Sequence, residues 1–403
     1  MAPSRPSDTL LASSSARSGR LATLDAAAAP SAAPLRLALV TEYYYPHLGG
    51  VCEHVHFFAR EARRLGHHVD IITSQIPGAT PTPGVIRIGR SQPVFFNGSQ
   101  ARVTVGTGLR RQMREVLRRG RYDVVHVHCP LTPVLPLLAI DEADVPVVGT
   151  FHTYFERSLA YAAGRRWFQR RLDCLSAAIA VSPSTTVALE RHFSADWTVI
   201  PNGIDPEAFR PDAPRPAAMR EDVPAVLFLG RFDPRNGLAL LIDAFRRVRG
   251  RRRPAQLVVV GDGPLRDHYR RHAGGDPDVT FVGPVLDGRP GFYAHSAVYA
   301  CPTTIASFGI TLLEAMACET PIVCSNIPGF WDVVEHEREA LMVPCGDRNA
   351  LAEGLVQLLD DEGLRERLGR VGRERALGYA WPRVTESVLT VYRQLLGHVP
   401  AAV

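Results

Sequence analysis

The hydrophobic pattern of the chain repeats one unit, a short apolar run followed by a longer amphipathic segment. Residues 35–41 (LRLALVT) form an apolar run that is typical of a buried parallel strand. A turn containing Gly49 and Gly50 leads into a predicted helix over residues 51–65, and a second strand, HVDIITS, follows Gly66. This order is a βαβ unit, so the sequence predicts an α/β fold with a parallel sheet.

The βα pattern continues to about residue 205, stops, and starts again at residue 225. The segment between, 210–224, is rich in proline and charge, which is typical of a boundary between domains. Further strands are predicted at 124–128, 145–150, 178–182, 197–201, 225–230, 257–261, 279–283, 298–302 and 321–325. We expect a disordered tail at 1–34, an N-terminal Rossmann-like domain at 35–213, a C-terminal one at 214–380, and a last helix at 381–403 that returns to the N-terminal domain.

Composition restricts the class of protein only mildly. The 403 residues are 46% hydrophobic and 22% charged, and no apolar run is long enough to span a membrane. The net charge of +5 is small, and we expect no nucleic-acid partner. Every one of the 46 basic residues is arginine, so any role that a related protein assigns to lysine must be lost or reassigned here. The seven scattered cysteines show no metal-ligand spacing, which indicates reduced, buried thiols of a cytoplasmic protein and no metal site.

The stretch IASFGITLLEAMACETP, at 305–321, carries the clearest candidate chemistry. Its loop Ser307-Phe308-Gly309 leads into a short helix that begins near Ile310 and carries one acid, Glu314. The first amide groups of a helix lack internal partners and the helix dipole is positive at that end, so a phosphate can bind there. The alternative is an ordinary core helix, and the local sequence does not decide between the two.

Two further candidates follow predicted strands. The pair Gly49-Gly50 lies at the first strand-to-helix turn, where it would let the backbone approach a ligand closely, although a plain tight turn would explain it as well. His152 follows the strand at 145–150, and in open α/β sheets ligands bind at this carboxyl edge.

A basic helix is predicted over residues 108–122. Arg110, Arg111, Arg114 and Arg118 lie on it beside an apolar stripe at helical spacing. It is either a surface helix packed on the sheet or a contact with an anionic membrane surface.

Seven motifs together resemble one family, the retaining family 4 glycosyltransferases of the GT-B fold. The resemblance covers residues 35–396, and within the family the phosphatidylinositol mannosyltransferases share GTFHT and the basic helix before DVVHVH. The motifs are Gly49-Gly50, FHT at 151–153, PNGID at 201–205, GRFDPRNG at 230–237, VVGDGP at 259–264, FVG at 281–283 and SFGITLLEAMA at 307–317.

The resemblance implies two Rossmann-like domains that face each other across a cleft, with C-terminal helices. It implies transfer of a sugar, with retention of configuration, from a UDP- or GDP-linked donor to a lipid, glycan or small-molecule acceptor. It also implies a site without cofactor or metal. We expect a cytoplasmic protein, and the basic helix leaves open a peripheral contact with the inner face of the plasma membrane.

The resemblance also implies roles for individual residues. Arg231 would hold the donor diphosphate together with backbone amides of Gly49, Gly50 and the loop before Ile310. Glu314 would accept hydrogen bonds from both ribose hydroxyls. Gly263 and Gly283 would line the base, and His152 would contact the transferred sugar or the reacting centre. The expected catalytic residues are His152 and Arg231, and the other expected donor-binding residues are Gly49, Gly50, Arg235, Asn236, Gly263, Gly283, Ser307, Phe308, Gly309, Ile310 and Glu314.

Two positions depart from the family pattern. Ala306 stands where the family has a glutamate that contacts the donor sugar, and Asn236 stands where it has a phosphate-binding lysine. A lost hydrogen bond to a charged group costs about 1.5–3 kcal/mol. Arg235 and Ser307 could take over these roles, the donor could be unusual, or the chain could be a catalytically impaired binding or partner subunit. The sequence leaves the three explanations open.

Overall fold

The computed structural model describes residues 33–47, 49–96, 99–154, 158–250, 254–285 and 287–397. The expected tail at 1–34 lies almost entirely outside these residues, as do the last six residues of the chain. The described residues form two parallel-type sheets covered by helices, which confirms the predicted α/β fold.

The N-terminal sheet has eight strands in the described part of the chain, in the order β4-β3-β2-β1-β5-β6-β7-β8. All neighbours pair in parallel except β3 and β4. The strands are β1 (Arg36–Val40), β2 (His68–Gln75), β3 (Val85–Phe96), β4 (Ser99–Val105), β5 (Val124–His128), β6 (Val147–Phe151), β7 (Ala177–Ala180) and β8 (Trp197–Val199). β5 and β6 are buried along their whole length, because helices cover both faces of the sheet.

The C-terminal sheet has six strands among the described residues, in the order β11-β10-β9-β12-β13-β14, and all of its pairs are parallel. They are β9 (Ala225–Leu229), β10 (Gln256–Val260), β11 (Val279–Gly283), β12 (Val298–Cys301), β13 (Ile322–Ser325) and β14 (Ala340–Val343). In both sheets the strand order reverses beside the first strand of the domain, which is the place where open α/β sheets bind ligands.

Helices connect the strands and cover the sheets. Those of the N-terminal half are α1 (Gly50–Arg64), α2 (Leu109–Gly120), α3 (Leu135–Glu142), α4 (Leu159–Ala163), α5 (Arg165–Leu172) and α6 (Pro183–Glu190). Those of the C-terminal half are α7 (Leu238–Gly250), α8 (Arg266–Ala273), α9 (Arg289–Ala294), α10 (Ile310–Ala317), α11 (Pro328–Trp331), α12 (Arg348–Asp360), α13 (Glu362–Leu377) and α14 (Trp381–Leu395). Across the described residues, no helix combines the length and the apolar character needed to cross a bilayer.

The hairpin of β3 and β4 is absent from the sequence prediction. The two strands pair antiparallel from Arg90 opposite Val105 to Phe96 opposite Ser99, at the edge of the sheet. Their sequence mixes arginine, serine and glutamine with apolar residues, so it lacks the continuous apolar run that marks the buried parallel strands. β14, at the opposite edge of the other sheet, was missed as well.

The two halves are joined by packing on both sides of the connector. Ile204 and Phe209 already belong to the core of the C-terminal half, and Met219 joins them there. In the other direction, α14 returns to the N-terminal half and packs on α1. Trp381, the first residue of α14, is 3% exposed and stacks on Phe57 of α1 with ring centroids 5.9 Å apart.

The cysteines are free, but the expectation that all are buried was wrong. Cys174 and Cys345 are exposed, and Cys129 is half-buried. The other four are buried in the cores, where burial raises the pKa of Cys52 and Cys324 well above the usual value for a thiol.

We predict that Trp381→Ala destabilises the protein by about 3–5 kcal/mol, because it removes a large buried ring that joins the last helix to the first domain. Unfolding in urea would measure the loss, with Arg383→Ala on the exposed face of α14 as the matched control. Equal stability of the two variants would contradict the inferred role of Trp381.

Candidate active site

Two helices from different halves of the chain meet at their N-terminal ends. α1 begins at Gly50 and α10 begins at Ile310, and a Cβ atom placed on Gly50 would lie 3.1 Å from Cδ1 of Ile310. Each helix end carries unpaired amide groups and the positive end of its dipole. The positive ends of two helices therefore lie together between the domains. Such a place favours binding of an anion.

The loop before α10 is fixed by contacts on both sides. Gly309, the N-cap, has φ 87°, and a Cβ atom there would lie 2.8 Å from the ring of Phe330, so no other residue fits easily. Phe308 is 2% exposed and packs into the core of the C-terminal half. From the N-terminal half, the hydroxyl of Ser182 donates to the carbonyl of Ser307 at 2.9 Å. The loop is therefore held in place by both domains.

Glu314 lies one turn into α10 and is 1% exposed. The hydroxyl of Tyr293 donates to its Oε2 at 2.7 Å, and Nη1 of Arg289 lies 3.4 Å from its Oε1. Burial raises the pKa of this carboxyl to about 7, Arg289 opposes the rise, and the negative charge of Glu53 adds to it. A carboxylate has about four lone-pair positions, so two remain for hydroxyl groups of a ligand.

Arg231 follows β9 and faces the loop after β1. It has no ion pair within the described part of the chain, and its positive charge acts on Tyr43 and His47 of the other domain. The pKa of His47 is lowered to about 4, first by burial and then by the charges of Arg231 and Arg102. Arg231 is thus a cation without a carboxylate partner at the boundary between the two domains.

The two neighbours of Arg231 in the predicted diphosphate site are engaged elsewhere. Nδ2 of Asn236 donates to the backbone carbonyl of Arg231 at 2.8 Å. Nε of Arg235 lies 3.6 Å from Asp233, and its side chain is 43% exposed. Asn236 therefore fixes the backbone that carries Arg231, and the guanidinium of Arg235 lies toward Asp233.

Gly263 and Gly283 lie at the carboxyl ends of neighbouring strands, β10 and β11. A Cβ atom on Gly263 would lie 2.8 Å from the backbone of Phe232, whereas one on Gly283 would meet nothing within 4 Å. Gly283 has φ 97°, in the region that favours glycine. The two glycines thus lie at the edge that Arg231 also occupies.

His152 lies at the carboxyl end of β6 within a cluster of buried histidines. Nδ1 of His128 and Nε2 of His152 are 3.1 Å apart, and Nδ1 of His54 is 2.9 Å from Oδ1 of Asn202. Burial, followed by the neighbouring imidazoles, lowers the pKa of His152 and of His128 well below the usual value, so these rings are neutral at pH 7.

Among the described residues, this histidine cluster is the group whose side chains could hold a metal ion. His54, His128 and His152 each offer one ring nitrogen, and these atoms lie within 4.8 Å of one another. Two of the three rings already bond each other and the third bonds Asn202, and no carboxylate is in the group. The donor set fits a hydrogen-bonded histidine network at least as well as a metal centre.

Comparison with known proteins assigns the family. A model described as Glycosyltransferase Family 4 matches residues 48–208, and one described as Glycosyl transferases group 1 matches residues 223–361. The chain is 33% identical over 371 residues to the phosphatidyl-myo-inositol mannosyltransferase of Mycobacterium tuberculosis, covering 90% of this chain and 98% of that protein. The chain belongs to glycosyltransferase family 4.

Other relatives and solved structures agree with this assignment. This family 4 chain is 30% identical to the D-inositol 3-phosphate glycosyltransferase of Kribbella flavida, over 86% of its own length and 90% of that protein. In fold it resembles sucrose-phosphate synthase of Thermosynechococcus elongatus (TM-score 0.71, 24% identity, 90% and 99% of the two chains). It also resembles Anabaena HepE in complex with UDP and glucose (TM-score 0.69, 18% identity, 91% and 100% of the two chains). The predicted GT-B fold is confirmed.

Sequence reasoning about this glycosyltransferase overlooked several residues of the site. Arg289, Glu53 and Tyr293 surround Glu314, and His54 and Asn202 surround His152. His54 lies four residues after Gly50, and Asn202 is part of PNGID, so both were within reach of motif analysis. Nothing in the local sequence marks Arg289, because its partners are distant along the chain.

The basic helix of this glycosyltransferase, α2, is largely engaged within the protein. Nη1 of Arg110 and Nε of Arg114 each lie 2.6 Å from Glu142 of α3, and Nη2 of Arg118 lies 3.2 Å from Glu115. Arg111 is exposed. The ion pairs reduce the positive charge that α2 would present to a membrane, so the predicted contact remains untested and has weaker support than the sequence suggested.

Proposed function

We propose that this chain transfers a hexosyl group, with retention of configuration, from a nucleoside diphosphate sugar to a lipid or glycan acceptor. The observation that carries the proposal is the meeting of the α1 and α10 N-termini, one helical turn from the buried Glu314. Arg231 acts on the loop that precedes α1, through Tyr43 and His47. A nucleoside diphosphate fits this arrangement. Its diphosphate would bind at the positive helix ends, and its ribose hydroxyls would donate hydrogen bonds to Glu314.

The proposed chemistry is mainly electrostatic. The amides of the two helix ends and the guanidinium of Arg231 would stabilise the charge that grows on the departing phosphate. That phosphate would take the proton of the acceptor hydroxyl, so retention would not require a protein nucleophile. His152, neutral because it is buried, would contact the transferred sugar. No metal and no cofactor take part in this proposal.

The acceptor is inferred from the names of relatives. One group of relatives is named for phosphatidyl-myo-inositol and another for inositol 3-phosphate, so both names contain an inositol bearing a phosphate. We propose an acceptor of this kind, a polyol that carries an anionic group. The lipid and the water-soluble forms share this chemistry, and assays with each would separate them.

A non-catalytic binding role is the alternative that Ala306 and Asn236 raise. The retained Gly49-Gly50 turn, Arg231 and the rigid Ser307–Gly309 loop argue against it, because a binding subunit has no need of a site built around a leaving phosphate. The relatives over most of the chain are named as transferases, which also favours activity.

We predict that the purified protein binds UDP or GDP and slowly releases nucleotide from the matching sugar donor. Calorimetry would measure binding, and a screen of nucleotide sugars by donor hydrolysis would identify the donor. Arg231→Met should weaken binding about tenfold to a hundredfold, because it removes the free cation beside the diphosphate. Absence of binding at millimolar concentrations of either nucleotide would exclude the proposed donor site.

We predict that Ala306→Glu raises hexose transfer or donor hydrolysis about tenfold or more, if the native alanine weakens contact with a common hexose. Ala306 is half-buried at the edge of the core, so a longer side chain at this position is not confined to the closed interior. Ala306→Gln, which is similar in size but uncharged, is the matched control. No gain from the glutamate in an active enzyme would indicate a donor without the usual sugar hydroxyls.

A lipid acceptor would require the protein to contact the membrane surface. Besides α2, helix α5 is a candidate for this contact. Arg165, Arg166 and Arg170 are exposed there without ion pairs to the residues described, and Trp167 beside them is 43% exposed. Exposed arginine with tryptophan suits the interface of an anionic bilayer. We therefore favour α5 over α2 as the contact.

We predict that reversing Arg165, Arg166 and Arg170 to glutamate reduces flotation with phosphatidylglycerol liposomes more than reversing Arg110, Arg111 and Arg114. Both triple variants change the net charge equally, but reversing Arg110 and Arg114 also breaks their ion pairs with Glu142. Thermal unfolding of both variants therefore checks that each is folded before flotation is compared. A larger effect of the α2 variant would return the contact to α2, and no effect of either would remove the membrane proposal.

A further inference from the structure

One arginine connects the candidate ribose carboxylate with the other domain. Nη1 of Arg289 lies 2.8 Å from Oε1 of Glu53 and 3.4 Å from Oε1 of Glu314. Glu53 lies in the first turn of α1, in the N-terminal half, and Glu314 lies in α10, in the C-terminal half. A single guanidinium is therefore shared by carboxylates of two domains.

The three charges are buried enough to depend on one another. Glu53 and Glu314 are 8% and 1% exposed, and the side chain of Arg289 is 18% exposed. The guanidinium also lies over the ring of Phe209, 5.7 Å from its centroid, which limits its movement. Removing the cation would leave two buried carboxylates without a counter-charge, and such a loss is far more costly than the loss of a surface pair.

The bridge is attached to the helix ends that form the anion site. The amide of Glu53 donates to the carbonyl of Gly49 at 3.1 Å, in the turn that begins α1. Glu314 lies one turn beyond Ile310, whose side chain meets Gly50. Any movement that separates the two helix ends must also pull Arg289 away from one of its carboxylates.

We propose that Arg289 is a positioning residue of the donor site, which holds Glu314 ready for the ribose and, through Glu53, makes nucleotide binding depend on contact between the domains. The proposal rests on the donor function proposed above. Arg289 takes one oxygen of Glu314 and Tyr293 takes the other, so the remaining lone pairs point to fixed positions.

The pH dependence of nucleotide binding gives the proposal a specific signature. The charged or titratable groups that act on Glu314 are Arg289, Glu53, Tyr293, Tyr299 and Cys318. The pKa of Glu314 is about 7 without nucleotide, and the ionised form accepts the two ribose hydroxyls best. Affinity should therefore fall as the pH decreases through that pKa. Protonation of the terminal phosphate of the nucleotide adds to the fall equally in every variant, so only the differences between variants report on Glu314.

We call the pH at which the affinity for nucleotide has fallen halfway the midpoint. Removing Arg289 and removing Glu53 should move this midpoint in opposite directions. Arg289→Met removes the positive charge, so the pKa of Glu314 rises and the affinity for UDP or GDP begins to fall at a higher pH. Glu53→Gln removes a negative charge, so the midpoint moves to a lower pH. In both variants the link between the domains is broken, and we expect affinity at pH 8 to fall severalfold.

The experiment is calorimetric titration of UDP and GDP into the full chain between pH 5.5 and 8.5, with wild type, Arg289→Met, Arg289→Lys and Glu53→Gln. Thermal unfolding of each variant checks that it is folded. Arg289→Lys keeps the charge, so it should retain a midpoint near that of the wild type and serves as the matched control. If the methionine variant does not fold, the expected shift of Glu53→Gln to lower pH tests the proposal by itself. Midpoints that shift in opposite directions for Arg289→Met and Glu53→Gln would support the proposal.

Two failures can be told apart. If wild type binds nucleotide and both Arg289→Met and Glu53→Gln bind with the same affinity and midpoint as wild type, Arg289 is not a positioning residue and the donor function stands. If wild type binds neither nucleotide at any pH, the proposed donor function fails and the role of Arg289 fails with it.

Discussion

The meeting of two helix N-termini is the constraint on which the rest of the site depends. α1 and α10 each direct a positive end to the boundary between the domains, and Arg231 adds a full charge without an ion pair among the described residues. Positive potential of this kind opposes closure of the two domains unless negative charge offsets it. Glu53 and Glu314 supply part of that charge, and a bound diphosphate would supply the rest. Closure and anion binding are thus physically linked.

The helices and strands that build this site were predictable because their signals are local. The apolar run of β1, the glycine pair before α1 and the Ser307–Gly309 loop before α10 each specify their own conformation within a few residues. Parallel strands then place their carboxyl ends at one edge without further information. The edge hairpin of β3 and β4 was missed because edge strands carry mixed polar and apolar residues, and pairing at an edge is weakly specified by sequence.

The contacts that decide the chemistry were less predictable, because they join residues far apart in the chain. Glu53 and Glu314 come to the same guanidinium from different domains, and no local pattern indicates this. His54 and His152 likewise come from separate elements, with ring centroids 4.7 Å apart. A motif identifies which residues belong to a family site, but the charge state of each depends on the burial and neighbours that the fold provides.

Asn236, at the position where the resemblance implies a lysine, has a structural contact of its own. Its amide donates to the backbone carbonyl of Arg231 at 2.8 Å, so it fixes the backbone that carries the guanidinium. Asn236 therefore contributes no charge but restrains the backbone next to one, and Arg235 lies toward Asp233. If the family pattern that the motifs imply holds, Asn236 and Ala306 together remove one charge of each sign from the sugar-diphosphate end of the site. Its net charge is close to that of the family pattern, which is a reason to expect an altered donor geometry rather than an empty site.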